Sequence, residues 1–352
     1  VQTCALPISI MRDEVVIHIG DKKDEVNYNA FEEVYSRDWE TYRDKDYFEY
    51  RDMWSSLPQS RTTTDFPIHL DIETTDLCNL HCPMCPRTVT GPKSKDGYEK
   101  YISKEHYIKV IDEAVENNVK SIKLQYLGEP TLHKDVVWQV KYAKEKGIID
   151  VMLNSNATRL TDKLSRGLLE AGLDKIYFSF DAVSPELYAQ QRVGATMGAV
   201  IDNIYAFVKL RNEISPKTFV RVQMVMYDDP IWKQQFEAMK VMWGDIVDAL
   251  GYGLFTERDP TGFKEFEKVD GFACEQLFQR MFLKCNGNVT VCCIDNDDEY
   301  IVGNWKEESL KDIWHGKKYT EIRTEHINGN YNSINMCARC DIPVIFKQTY
   351  SA

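Results

Sequence analysis

Cys78, Cys82 and Cys85 follow a C-x3-C-x2-C spacing in the segment Leu70-Asp-Ile-Glu-Thr-Thr-Asp-Leu-Cys-Asn-Leu-His-Cys-Pro-Met-Cys-Pro-Arg87. Three thiolates on one short loop make an unusual donor set. A structural zinc site closes with four protein ligands, and three leave one metal position open to a small molecule. Iron–sulfur clusters are also held by closely spaced thiolates, so a [4Fe-4S] cluster on three cysteines keeps one iron open to chelation. A second group, Cys274, Cys285, Cys292, Cys293, Cys337 and Cys340, fills the last quarter of the chain, and Cys4 stands alone.

The rest of the composition narrows the setting. With 55 Asp and Glu against 43 Lys and Arg, the 352 residues carry a net charge of −12. That balance disfavours nucleic acid and anionic lipid, which reward clustered cations. No apolar run approaches the ~20 residues that span a bilayer, and no basic-then-apolar signal peptide opens the chain. Ten cysteines in such a chain read as metal ligands or catalytic thiols in a reducing cytoplasm rather than as a disulfide framework.

The elements that must position these thiols are α/β. Candidate strands are Ile68–Thr74, Ser121–Leu127, Val151–Ser155, Lys175–Phe180, Val220–Tyr227 and Ala249–Phe255. Helical patterns at His133–Lys146, Lys163–Ala171, Gly198–Glu213 and Trp232–Trp243 lie between them. Nearly continuous apolar strands alternating with amphipathic helices predict a parallel sheet covered on both faces. Six such units give an α/β barrel or an open doubly wound sheet, with chemistry at the carboxyl ends of the strands. The cysteine triplet follows the first of these strands directly. Residues 28–58, rich in charge and aromatics, read as one or two surface helices covering the main domain, or as a partner-docking arm. The first ten residues fit no later pattern and read as a non-native remnant, with a natural start near Met11. The expected organisation is therefore a remnant at 1–10, a helical extension at 11–65, a barrel at 66–262 and a cysteine-rich domain at 263–352.

The triplet's spacing and place resemble the radical S-adenosylmethionine (radical SAM) superfamily, whose fold is a partial (β/α)6 TIM-like barrel. Gly128-Glu129-Pro130, ending the second strand, resembles the family's GGEP turn, with Leu127 at its first glycine. The resemblance implies that this turn grips the methionine amino group of SAM. It also implies ribose and carboxylate contacts from Ser179, Asp181 and Arg192. Asn154 and Asn156 take the place of a polar SAM or substrate contact, and Met84 lies by the adenine.

The second group resembles the SPASM/twitch extension of the same superfamily. Cys274, Gly287 and Cys292 follow C-x12-G-x4-C, and Cys337-Ala-Arg-Cys340 closes the pattern. Asn286-Gly287 between apolar flanks predicts a β-hairpin, with Cys292 and Cys293 on its second strand and a helix near Ser309–Tyr319 after it. The resemblance implies the shorter twitch form, with one auxiliary [4Fe-4S] cluster on Cys274, Cys292, Cys337 and Cys340. Neighbouring residues on an extended strand face opposite ways, so only one of Cys292 and Cys293 ligates. Cys285 reads as a packed thiol and Cys4 as irrelevant. A four-cysteine zinc ribbon has similar C-x2-C elements, which keeps a zinc-stabilised binding or scaffold protein as the competing class.

For function, the resemblance implies reductive cleavage of SAM to a 5′-deoxyadenosyl radical, fed by an external flavodoxin- or ferredoxin-type donor. Hydrogen abstraction from a substrate C–H bond follows, with the auxiliary cluster taking the electron. A dehydrogenase-like oxidation of a sugar, aminocyclitol or related small molecule is expected, because the segment before the barrel is short; a peptide maturase is the alternative. Gln125, Tyr126, Tyr227, Asp229, Tyr252 and Arg258 stand near strand ends as candidate pocket residues. No residue is assigned as the proton acceptor.

Overall fold

The computed structural model describes residues 30–92, 99–255, 266–293 and 295–350. Among these residues ten strands form one sheet: β1 (Ala30–Val34), β2 (His69–Ile72), β3 (Ser121–Lys123), β4 (Asp150–Ser155), β5 (Lys175–Ser179), β6 (Phe219–Met226), β7 (Ala249–Leu254), β8 (Arg280–Leu283), β9 (Asn288–Thr290) and β10 (Ile301–Asn304). Their order is β1-β7-β6-β5-β4-β3-β2-β8-β9-β10. From β7 through β2 to β8 every neighbouring pair is parallel. β1 and the β9–β10 pair flank that run in antiparallel register. The sheet is open rather than closed on itself, as a partial barrel requires.

The helices between strands start where the sequence supplies a cap. They are α1 (Lys45–Ser60), α2 (Pro86–Thr90), α3 (Lys104–Glu116), α4 (Val136–Glu145), α5 (Asp162–Glu170), α6 (Pro185–Gln191), α7 (Met197–Ile214) and α8 (Pro230–Trp243). Ser103, Thr161 and Ser184 each accept from the backbone N–H three residues on, and Asp229 from the one two residues on. Pro185 and Pro230 fill the first helical position, where a missing N–H costs nothing. Toward the C-terminus lie α9 (Gln276–Gln279), α10 (Leu310–Trp314), α11 (Lys317–Ile327), α12 (Asn335–Ala338) and α13 (Ile342–Tyr350).

Three expectations need correction. The segment before the barrel is not wholly helical: Ala30–Val34 pairs with Ala249–Gly253, and Phe31 stacks on Tyr252 with centroids 5.1 Å apart. Partner geometry across some 220 residues decided this, and local charge could not reveal it. The helix expected near Ser309–Tyr319 is two helices, α10 and α11, broken at Gly316. The second hairpin strand ends at Thr290, so Cys292 and Cys293 stand beyond it.

α1 closes the amino end of the barrel. Its Asp44 cap accepts from Tyr47 N, and it ends where Arg61 turns left-handed at φ 52°. Tyr47, Tyr50 and Leu57 are buried, and Trp54 packs beside them. The Tyr50 hydroxyl donates to Asp150 at 3.1 Å, and the Trp54 ring stands against His69 at 5.4 Å. Asp150 and His69 are the first residues of β4 and β2. β8, which opens the cysteine-rich region, lies directly against β2, with Leu70 opposite Met281. One sheet thus runs across the boundary expected near residue 262.

Candidate functional site

The cysteine triplet occupies the loop between β2 and α2, at the carboxyl end of β2. Cys82 is buried and Cys78 and Cys85 are half-buried; all nine described cysteines are outside disulfides. Several contacts fix the loop. Leu77 O accepts from Glu129 N at 2.8 Å, Asp76 O from Arg87 Nε at 2.5 Å, and Val193 O from His81 N at 2.9 Å. The GEP turn lies flat on this loop. A Cβ at Gly128 would stand 2.0 Å from Thr75 O and 2.9 Å from Leu77 O, so only glycine allows the approach.

Glu129 is buried and does its work on the protein itself. One carboxylate oxygen accepts from Thr131 N, Thr131 Oγ1 and Ser155 Oγ, and the other from Asn156 N at 2.7 Å. Burial raises its pKa, and these donors oppose that rise. Pro130 opens a 3-10 turn behind it. Asn156 bridges outward: its Nδ2 reaches Asn79 Oδ1 at 3.1 Å and Cys78 Sγ at 3.9 Å. Asp181 and Arg192 form a buried ion pair, Asp181 also accepts from Val225 N at 2.9 Å, and Arg192 Nη1 lies 3.8 Å from Cys82 Sγ. The structure therefore brings Glu129, Asn156, Asp181 and Arg192 around the cysteine loop, with most of their polar atoms already engaged. Met84 lies half-buried within the loop.

Asn154 and Ser179 line a cavity of about 790 Å³ inside the barrel, which Arg192 also borders. Asn154 Oδ1 is buried there without a partner. Gln223, Lys123 and Arg280 also line the space, and α1 forms its end. The candidate pocket residues mostly have other duties. Tyr252 packs on Phe31 and Phe236, Asp229 caps α8, and the Tyr227 hydroxyl bonds Gln191 at 3.1 Å. Gln125 bonds the adjoining carbonyl of Tyr126. Arg258, like Cys4 and Met11, lies outside the described residues.

In the C-terminal region Cys274 and Cys337 pack against one cluster of Val269, Phe272 and Tyr331, and burial above all, then Cys337, Glu275 and Cys340, pushes the Cys274 thiol pKa well up. Cys274 N donates to His326 Nδ1 at 3.2 Å, and burial holds that imidazole down to about 3. Cys292 is half-buried against the main core with Cys274 and Cys337. Cys293 is exposed; the Cys292 thiol donates to it and lowers it to about 6, and Gln276 Nε2 approaches at 3.5 Å. The two neighbours thus face each other in a turn instead of pointing to opposite faces of a strand. Cys285 is buried, its thiol donating to Glu99 O at 3.3 Å, as a packed thiol should. The hairpin turn is as expected, with Gly287 at φ 102°.

One link between the two cysteine regions escaped the sequence. The Tyr126 hydroxyl donates to Cys292 O at 2.9 Å, and its ring lies 5.9 Å from that of Phe282. Tyr126 stands two residues before Gly128, so the turn resting on one cysteine loop is tied to the other. Its partner is 166 positions away, a separation that spacing patterns do not register.

Among the described residues, no three His, Cys, Asp or Glu side chains converge to hold a single ion. The triplet does suit a cluster: three thiols share one loop, and two N–H donors approach their sulfurs, a recognised lever on cluster potential.

A family model described as the radical SAM superfamily matches residues 72–227, and one for an iron–sulfur cluster-binding domain, SPASM, matches 274–341. The tungsten-containing aldehyde ferredoxin oxidoreductase cofactor-modifying protein of Pyrococcus furiosus is 24% identical over 328 residues, covering 80% of this chain and 90% of that protein. GTP 3′,8-cyclase of Limosilactobacillus fermentum is 32% identical over 142 residues, but the match spans only 40% of its length. Among solved structures, BtrN in complex with AdoMet and 2-DOIA aligns with a TM-score of 0.54 at 19% identity, covering 80% of this chain and 94% of that one. Streptococcus suis SuiB bound to S-adenosylmethionine gives 0.55 at 15%, covering 80% and 74%. At these identities the structures speak for the fold.

Proposed function

The chain belongs to the radical SAM superfamily and carries a C-terminal iron–sulfur cluster-binding domain, and from that premise we propose that it oxidises a small polar molecule such as a sugar or aminocyclitol. It is a SAM-dependent iron–sulfur enzyme. When bound, the reduced cluster and SAM supply a 5′-deoxyadenosyl radical that removes hydrogen from an unactivated C–H bond. The protein's share is binding, orientation and a dry chamber.

Cys78, Cys82 and Cys85 hold the SAM-binding cluster in this reading. Arg192 and Asn156 offer N–H groups beside two of the sulfurs. Gly128, Glu129 and Pro130 form the wall that receives SAM, with Glu129 acting as a positioning residue through Ser155 and Asn156. Asn154 and Ser179 face the substrate. Cys274, Cys292, Cys337 and Cys340 hold the auxiliary cluster, and the Tyr126–Cys292 contact supports an electron route toward it.

The cavity carries the choice of a small molecule. Its volume of about 790 Å³ falls within the ~300–1,000 Å³ of small-ligand sites. The likeness of fold to BtrN, solved with AdoMet and 2-DOIA, supports the same choice.

The test is anaerobic analysis of purified protein. We expect about eight irons per chain, for two four-iron clusters, and 5′-deoxyadenosine under reduction. Replacing Cys78, Cys82 and Cys85 with Ala abolishes that product. Replacing Cys337 and Cys340 spares SAM cleavage but stops substrate oxidation. Iron near zero, with zinc in its place, overturns the reading.

A further inference from the structure

The barrel cavity holds a charge pattern that SAM chemistry does not explain. TIM-like barrels are ordinarily filled by layers of branched apolar side chains. Here charged and polar side chains share the lining with Met152, Tyr177 and Phe219, and on a chain of net charge −12 cations outnumber anions among them. Most have a fixed counter-ion: Lys175 pairs with Asp150 at 2.7 Å, Arg221 with Glu32 at 2.8 Å, Lys123 with Asp71, and Arg192 with Asp181.

Two guanidiniums have no carboxylate within hydrogen-bond distance among the described residues. Arg280 lies over the Trp54 ring at 4.5 Å and Arg51 over the same ring at 5.3 Å. The sole hydrogen bond of Arg51 among the described residues goes to the Tyr50 hydroxyl at 3.3 Å. Arg280 is 3.8 Å from Asp71, which it shares with Lys123 and His69, and its buried Nε has no hydrogen-bond partner. Both line the cavity at its amino end. Two planar donor forks against one indole, neither engaged bidentately by a carboxylate of the described residues, match the oxygens of a phosphate or carboxylate.

The chamber has a direction. Lys175 opens β5 beside α1, and Ser179 ends it by the cysteine loop, a rise of roughly 13 Å at ~3.3 Å per residue. We propose that the substrate is an elongated polar molecule with a terminal phosphate or carboxylate, seated by Arg51 and Arg280, which both lie against the Trp54 ring. Its reacting C–H bond then lies toward Asn154 and Ser179. This rests on the small-molecule reading above and assigns the substrate's charge and orientation.

Equilibrium dialysis of the reconstituted holoenzyme with SAM provides the test, with ribose 5-phosphate, ribonate and ribose as probes. Saturable binding is expected for one or both anions, at least about tenfold tighter than for ribose, since a charged hydrogen bond is lost with the neutral sugar. The phosphate and carboxylate arms identify which anion the site prefers. Arg280→Met and Arg51→Met each weaken anion binding about tenfold, and Arg51→Lys restores part of it. Iron content and the thermal midpoint are followed in every variant, and Arg51→Met, a solvent-exposed side chain facing the cavity, keeps the test alive if Arg280→Met misfolds. Equal binding of ribose and its anions, or anion binding unchanged in Arg51→Met, overturns the proposal. Absence of 5′-deoxyadenosine from the wild-type preparation defeats the radical reading instead, and leaves the dialysis result to stand by itself.

Discussion

At the scale of single residues, the site depends on close backbone approach as much as on ligands. Gly128 is the sharpest case, because a methyl there collides with two carbonyl oxygens of the loop that bears Cys78. Backbone cannot swing aside as a side-chain tip does, so Gly128→Ala displaces the loop. We expect a loss of about 3 kcal/mol or more in urea unfolding, the upper range for an overpacked site. On the proposed reading of two clusters, reconstituted iron should fall by about half, with the Cys78 loop failing to load and the Cys274 region still loading. Full loading with unaltered stability would count against this account. The sequence made the cysteines, the GEP turn and the hairpin glycine legible, since each carries its meaning in local spacing. It did not show that Glu129 spends its oxygens on Thr131, Ser155 and Asn156, or that Asp181 and Arg192 pair. Those bonds join residues that meet only when separate strands lie side by side.

At the scale of elements, the segment before the barrel is an integral closure. Arg43, just ahead of α1, donates to Asp174 at 2.6 Å, and Lys144 at the end of α4 reaches the other oxygen at 2.6 Å. Val151 N of β4 also donates to it at 2.9 Å. The side chains of Arg43 and Asp174 are almost wholly buried, at 5% and 2% exposure. Removing one partner of such a pair strands a buried charge and costs about 3–5 kcal/mol. Asp174→Ala should lose that much stability, and limited proteolysis should begin in α1 before the barrel is cut. Cleavage that starts elsewhere would deny α1 this anchorage. The barrel strands and helices were legible because periodicity is local, but β1 was not. Its five residues read as part of a charged helix until Phe31 meets Tyr252.

At the scale of the whole molecule, two regions matched by separate family models share one sheet. β2 is hydrogen-bonded to β3 on one side and to β8 on the other, and the main apolar core runs from α1 through the barrel to Trp305, Trp314 and Tyr319. A barrel and an appendage joined only by a linker would melt separately. This arrangement predicts coincident urea transitions by tryptophan fluorescence and far-ultraviolet dichroism, with cluster absorbance lost in the same step. Two resolved transitions would show that the β2–β8 pairing couples the regions weakly. No helix among the described residues is long and apolar enough to cross a membrane.

The pairing of β2 with β8 also bears on how the chain is born. Leu70 leaves the ribosome some 210 residues ahead of its partner Met281. At ~5–20 residues per second, roughly ten to forty seconds of synthesis separate the two. Throughout that interval the β2 edge, with Cys78, Cys82 and Cys85 immediately downstream, has no neighbour on one side and invites pairing with other nascent chains. Efficient production should therefore respond to chaperones that shield strand edges and to slower, cooler expression. Cluster loading before β8 emerges would act on a loop whose supporting strand is still half-paired.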